Sequence, residues 1–166
     1  MTTTEGRVNG RQIRHRVCAR VLPVNPQGEV LLLHGWNPAA PQEPYWFDIG
    51  GAIDPGETLV EAAVREMREE TGIVIQAAEL SEPIAREDAE FDWGVWRLVQ
   101  DQTYFALAHD HDPAAISLEG LEPIERTTID AAAWWPPDAL EADGSAANVR
   151  LPDIMRTAVQ IVRGTP

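Results

Sequence analysis

The chain has 166 residues, 13 basic and 27 acidic side chains and a formal charge of −14. That is enough for one domain with a real core and too little for two ordinary ones. All 13 basic residues are Arg, which excludes a P-loop lysine, a Schiff-base lysine and a Ser-Lys dyad, and the one cysteine, Cys18, excludes a disulfide framework and thiolate-rich zinc sites.

Residues 1–12 read as a flexible polar leader before a single domain over 13–166. Arg16 to Val24 and Glu29 to His34 read as strands joined by the turn Asn25-Pro26-Gln27-Gly28, together a hairpin. Gly35 to Pro44, with Asn37 and three prolines (Pro38, Pro41, Pro44), reads as a loop, and Tyr45 to Ile49 as a short strand. Gly50-Gly51 and Asp54-Pro55-Gly56 force tight turns. Thr58 to Thr71 is the clearest helix, and Gly72 stops it. A strand is expected near Ile73–Ala78, and Pro83–Phe91 and Val95–Ala108 flank Trp93-Gly94 as a hairpin. A strand over Thr127–Trp135 follows, Pro136-Pro137 opens a short helix, and Pro152 to Arg163 forms the last one. Strands outnumber helices, which predicts a mixed α/β sheet domain and not a doubly wound parallel one.

The charge and the apolar runs narrow the function. Five of the Arg lie in residues 1–20 beside a single acid, Glu5, so the remainder is more acidic than the whole. Such a surface repels duplex nucleic acid and anionic lipid, and it repels a phosphorylated small molecule unless a divalent cation reverses the sign locally. No apolar run reaches the roughly 18 residues of a membrane span, and no signal-peptide core is present in the first thirty residues, so a cytoplasmic protein without a membrane partner is expected.

The helix carries the chemistry. At about 100° per residue, Val60, Ala63, Val64 and Met67 form a core stripe, while Glu66, Glu69 and Glu70 share a neighbouring face. Three carboxylates there repel one another, and the C-terminal half of a helix disfavours negative charge. Alone they fit a solvated acidic face. With Gly50-Gly51 exposing backbone carbonyls and Glu57 at the helix entrance, they equally fit a hard-oxygen site of the kind Mg²⁺ or Mn²⁺ prefers.

Gly51, Glu57 and the run Arg65-Glu66-Met67-Arg68-Glu69-Glu70-Thr71-Gly72-Ile73 fill every fixed position of the pattern G-x5-E-x7-R-E-U-x-E-E-x-G-U, U being a bulky aliphatic residue. The chain thereby resembles the Nudix hydrolases (MutT-like), with a complete Nudix box at residues 51–73; Trp46 to Gly51 resembles the strand that precedes the box, with Asp48-Ile49 where many members have Thr-Pro. The resemblance implies a Nudix-type α/β/α sandwich with a mixed central β-sheet. It also implies a Mg²⁺-dependent pyrophosphohydrolase that cleaves a nucleoside diphosphate linked to another moiety, with Mn²⁺ as a substitute ion. By the same resemblance Glu66, Glu69 and Glu70 hold the cation and the Gly50 carbonyl is a further ligand. Arg65 pairs with Glu57 or Glu69 and ties helix to loop, and Glu66, then Glu69, is the candidate base. A further carboxylate arrives from a distant loop in many members; of Glu119, Glu122 and Glu125, the last is best placed.

Other residues leave two readings open. Arg16 and Arg20 share one face of the first strand and suit either phosphate contact or surface salt links. His34 and Trp46 are candidates for substrate contact, Trp46 with Tyr45, Trp93 and Trp96 as base-stacking rings or plain core. His109-Asp110-His111-Asp112 reads as solvated loop, and Cys18 as a buried bystander. The positions beyond the box that distinguish subfamilies hold Asp88, Ala89, Glu90 and Phe91, which match neither the ADP-ribose nor the diadenosine polyphosphate pattern. The expected substrate is therefore a nucleoside triphosphate or related small nucleotide. The alternatives are an ADP-ribose or nucleotide-sugar pyrophosphatase and a catalytically silent nucleotide-sensing domain. Homodimerisation is a family habit on which the sequence is silent.

Overall fold

The structure, a computed structural model, describes residues 2–110, 112, 114 and 116–164. Its spine is strand β2 (Arg11–Val24), which runs parallel to β7 (Trp96–Ala108) from Gln12↔Trp96 to Val24↔Ala108. β7 pairs antiparallel with β6 (Ala85–Trp93), the expected hairpin. After β2 the Asn25 side chain accepts the N–H groups of Gln27 and Glu29 and reverses the chain into β3 (Val30–Asn37). The described pairing of β2 with β3 is confined to Val24↔Val30. β3 then turns to β4 (Ala40–Phe47) on one side and β8 (Ile129–Trp135) on the other, while β5 (Ile49–Ala52) pairs with Cys18–Val21 of β2. The sheet is mixed and forked, with the path β4-β3-β2-β7-β6.

Alternate side chains of the same strands feed two cores. Ala19, Val21, Leu31, Leu33 and Ile49 face helix α1 (Leu59–Thr71), where Ala62, Ala63 and Met67 meet them. Leu22, Val24, Val30, Leu32 and Ala106 face the opposite way, onto Leu140 of α3 (Pro137–Asp143) and Leu151, Ile154 and Met155 of α4 (Leu151–Arg163). Burying one such Leu stabilises by roughly 1.5–3 kcal/mol, so both faces hold their helices firmly. The result is the α/β/α sandwich with a mixed central sheet. No described helix is long and apolar enough to cross a membrane.

Four segments differ from the sequence reading. The expected leader holds strand β1 (Thr2–Val8), antiparallel to β2 from Thr2↔Arg16 to Val8↔Arg11. This ribbon is joined by backbone hydrogen bonds between polar residues, which apolar patterning does not reveal. The expected loop at 35–44 is largely strand, and Pro41 and Pro44 are tolerated because β4 ends the sheet path, where the outer edge is bridged at Trp46 alone among the described residues. Near Ile73–Ala78 there is no strand: Ile73 and Ile75 enter the α1-side core, and the chain closes in a single 3₁₀ turn, Ala77–Glu79. The short helix α2 (Pro123–Arg126) was not expected. Of the His109–Asp112 run, His111 lies outside the described residues.

Candidate active site

Helix α1 is closed at both ends by its own sequence. Thr58 Oγ1 accepts the Glu61 N–H at 3.1 Å while the Glu61 carboxylate accepts the Thr58 N–H at 3.0 Å, and Gly72, at φ 76°, donates to the Arg68 carbonyl at 2.9 Å. The core stripe is rotated from the one expected. Ala62 is fully buried whereas Val60 and Val64 are only half-buried, so the row at four-residue spacing, Ala62, Glu66 and Glu70, turns inward. Glu66 retains 7% and Glu70 2% exposure. Two acids are thus folded under the Gly50-Gly51 turn by the same packing that seats the helix.

At Gly50 that turn admits only glycine. Gly50 stands at φ 140°, and a β-carbon there would meet the Ala19 carbonyl oxygen at 2.1 Å. A β-carbon on Gly51 would lie 2.6 Å from Glu66 Oε1. Glu70 Oε2 accepts the Gly50 N–H at 3.1 Å. Arg65 fastens the rest of the loop: Nε and Nη2 each donate at 2.8 Å to the two oxygens of Glu57, and Nη2 also donates to the Ala52 carbonyl at 3.0 Å. Its Nη1 donates to Glu66 Oε1 at 2.9 Å and to Glu69 Oε2 at 3.1 Å. The bidentate bond from Arg65 holds the Glu57 carboxyl below the usual carboxylate range.

The remaining acids sit in the opposite electrostatic state. Burial pushes Glu66 up, and the charges of Glu69 and Glu125 add to this against the pull of Arg65. Burial pushes Glu70 well up, and Glu66 and Glu125 add to it. Glu125, on α2, is raised by burial first and by the charges of Glu122 and Glu69, against the Glu122 N–H that its carboxylate accepts and, less, Arg16. Of the three loop acids, Glu125 is thus the one whose charge reaches Glu66 and Glu70. Among the described residues no three His, Cys, Asp or Glu side chains are already drawn together as a metal cluster, since Glu66 and Glu69 turn to Arg65 and Glu70 to Gly50. The donor set is nevertheless all oxygen, largely buried and self-repelling, which is what a hard divalent cation relieves.

The four candidate substrate contacts separate. Arg16 is largely covered; burial lowers its pKa, while Glu66 is among the neighbours pulling it back, and no hydrogen bond among the described residues engages its guanidinium. Arg20 is turned into the sheet, where Nε donates to Gln102 Oε1 at 2.8 Å, Nη2 to Gln100 Oε1 at 3.2 Å and Nη1 to the Gly50 carbonyl at 3.0 Å. His34 and Trp46 belong to the α4 side, away from the helix that bears the glutamates. Their rings lie 4.8 Å apart, Trp46 meets Trp135 at 5.4 Å, and His34 Nδ1 pairs with Asp130 at 2.5 Å. Cys18 is buried, and Arg14 lies over the Trp96 ring at 3.6 Å. The sequence reading passed over a polar set beneath Arg20: Asp48, Gln100, Gln102 and Tyr104, all buried. Its signal was the unbroken polar run Gln100-Asp101-Gln102-Thr103 within a strand that continues into core residues.

A family model for the NUDIX domain matches residues 14–153. The RNA pyrophosphohydrolase of Erythrobacter litoralis is 32% identical over 149 residues, covering 81% of this chain and 84% of the relative. The chain belongs to the Nudix family. A second relative, the RNA pyrophosphohydrolase of Novosphingobium aromaticivorans, is 34% identical over 122 residues, covering 67% of this chain and 73% of the relative. Among solved structures, a MutT protein from Methanosarcina mazei has a TM-score of 0.62 at 17% identity, covering 90% of this chain and 94% of that one. A C. elegans Ap4A hydrolase has a TM-score of 0.60 at 19% identity, covering 90% and 99%. At such identities these two structures establish the fold alone. As a Nudix hydrolase the chain acts on phosphoric anhydride bonds, a chemistry for which the family generally uses divalent metals.

Proposed function

We propose that this Nudix hydrolase is a Mg²⁺-dependent pyrophosphohydrolase of a nucleoside triphosphate or related small nucleotide, with Mn²⁺ as a substitute ion. The observation that carries the reading is the burial of Glu66 and Glu70 together under the Gly50 turn, with the charge of the half-buried Glu125 adding to the repulsion on both. Glu66, Glu69, Glu70 and Glu125 would hold the ion; the Gly50 carbonyl, which already accepts from Arg20 Nη1 at 3.0 Å, has one lone pair left for it. A bound divalent ion neutralises phosphate charge and makes a coordinated water acidic.

The chain's own groups supply the remaining needs. Arg65, by gripping Glu57 and the Ala52 carbonyl, holds the loop to the helix so that the carboxylates keep their spacing. Glu66, whose pKa burial raises, is suited to take a proton from the attacking water, with Glu69 second. Arg16, whose charge acts on Glu66 and Glu125, would meet a phosphate oxygen there. His34 and Trp46, engaged with Asp130 and Trp135 on the other face, are given no part in the reaction.

A second reading is favoured by the two relatives named RNA pyrophosphohydrolase: the anhydride would then stand at the end of an RNA chain. The charge of −14 favours the small nucleotide, because a long polyanion meets repulsion beyond the site. The test is a phosphate- and pyrophosphate-release screen with Mg²⁺ over nucleoside triphosphates, ADP-ribose, nucleotide sugars, dinucleoside polyphosphates and a short RNA with a terminal triphosphate, with Glu70→Gln as blank. Preference for a triphosphate mononucleotide upholds the first reading. Preference for the RNA installs the second, and inactivity with retained nucleotide binding overturns both in favour of a silent sensor.

A further inference from the structure

Arg20 and Gly50 form a connection between the sheet interior and the carboxylate cluster. Gly50 is held at both of its polar groups: its N–H donates to Glu70 Oε2 at 3.1 Å, and its carbonyl accepts from Arg20 Nη1 at 3.0 Å. Arg20 is fixed in turn, donating to Gln102 and Gln100 and lying 3.5 Å from Asp48 Oδ1. The register places all of them in adjoining rows, since Arg20 is opposite Gly50 on β5 and Tyr104 on β7, with Gln102 and Gln100 next along the strand. The side chains of Arg20 and Asp48 retain 12% and 8% exposure, so their geometry is set by protein contacts and not by solvent.

We infer that Arg20 is a positioning residue for hydrolysis: its guanidinium, seated on Gln100 and Gln102, fixes Gly50 and through Gly50 orients Glu70. This departs from the phosphate contact that its place beside Arg16 suggested, because Nε, Nη1 and Nη2 each already have an acceptor within the sheet. Only a planar fork can reach Gly50 and both glutamines together; the single ammonium of Lys cannot. With the fork removed, the Gly50 carbonyl loses its donor, the turn relaxes, and Glu70 loses the N–H that fixes its rotamer. Outer partners of this kind commonly affect ion affinity or activity by 10- to 100-fold.

The inference rests on the cation-site reading, and the experiment separates the two. In cation-free protein, amide exchange at Gly50 is read by NMR for wild type, Arg20→Lys and Gln102→Leu, the last removing one support while leaving Arg20 in place. Mn²⁺ binding is then measured by calorimetry, followed by kcat and KM on the substrate that the screen identifies. The expected result is faster Gly50 exchange than in wild type in both variants, with neighbouring β2 amides unchanged. Mn²⁺ binding in Arg20→Lys should weaken by roughly 10- to 100-fold, and kcat should fall at near-constant KM. Unchanged Gly50 exchange in Arg20→Lys overturns the role given to Arg20. A raised KM at wild-type kcat and Mn²⁺ affinity also overturns it and makes Arg20 a substrate contact; a loss of melting temperature with the other readouts unchanged makes it merely structural. Wild-type protein that binds no Mn²⁺ overturns the cation site instead, and the Gly50 measurement still decides the link from Arg20 to Glu70.

Discussion

Two glutamates of the box answer opposite physics, and their substitution should show it. Glu57 is held in its charged form by Arg65, so its folded pKa lies below the unfolded value. Its stabilising effect is therefore fully present above the unfolded pKa of about 4.3 and lost as pH falls through the folded one. Glu57→Gln should cost about 1.5–3 kcal/mol at neutral pH, the worth of hydrogen bonds to a charged group, and the difference from wild type should shrink towards pH 3 in urea titrations. A loss independent of pH would mean that Glu57 acts by shape alone. Glu70 is raised above its ordinary value by burial first and by Glu66 and Glu125 next, so in the cation-free protein its charge opposes folding. Glu70→Gln keeps an acceptor for the Gly50 N–H and removes that charge. It should melt higher than wild type in EDTA at pH 7.5 while turning over about 10²-fold slower with Mg²⁺. A lower melting temperature would show that the carboxylate is not strained there; unchanged turnover would remove it from the cation site.

At the scale of elements, α1 is the part most fully written in local sequence. Its N-terminus depends on the reciprocal Thr58–Glu61 bonds and its C-terminus on Gly72, features that follow from residue type and spacing alone. Thr58→Ala should lower stability by about 1 kcal/mol, a fall of some 2–4 °C in melting temperature for a chain of this length. Because the cap holds the entrance of the helix and not its acidic end, KM and kcat should stay near wild type; a large fall in kcat would mean that the first turn communicates with Glu66 and Glu70. The rotation of the helix was harder to read. Ala62 and Ala63 are small enough to let the helix approach β2 and β5, and that approach draws Glu66 and Glu70 into cover while Glu69 stays at 31% side-chain exposure. A hydrophobic stripe marks which residues prefer burial. It does not mark which polar neighbours are carried in with them.

For the molecule as a whole, the distribution of charge makes stability and ion binding one property. The chain carries −14 and buries like-charged carboxylates together, so an ion bound to the folded state alone should raise the melting temperature. At a hundredfold excess over Kd the gain is about 2.7 kcal/mol, measurable by scanning calorimetry against a Mg²⁺ series. Glu125→Gln should reduce that response while leaving the sheet intact, because Glu125 reaches the cluster from α2 and takes no part in seating α1. No shift in wild type at millimolar Mg²⁺ would mean that the acidic face is solvated surface. Bound nucleotide should add to the shift only when the ion is present, since the cluster otherwise repels phosphate.

The sequence by itself determined the Nudix box, the ends of α1, the glycine turn, the hairpin of β6 and β7, and the set of carboxylates, because each depends on residues within a few positions of one another. Of the three distal acids it also favoured Glu125, though only the structure shows that its charge reaches Glu66 and Glu70. Tertiary structure alone decided the rest. β2 leaves β3 after Val24↔Val30 and pairs with β7, a strand more than seventy residues away in the chain, and that parallel ladder brings Gln100 and Gln102 under Arg20. The same ladder turns Arg20 from a surface cation into part of the sheet interior and leaves Arg16 beside the glutamates. The outer half of β2 also finds β1, where polar residues give no apolar signal and backbone hydrogen bonds do the joining. Local chemistry fixes what a residue can do; long-range strand pairing, which has no signature in neighbouring residues, fixes what it faces.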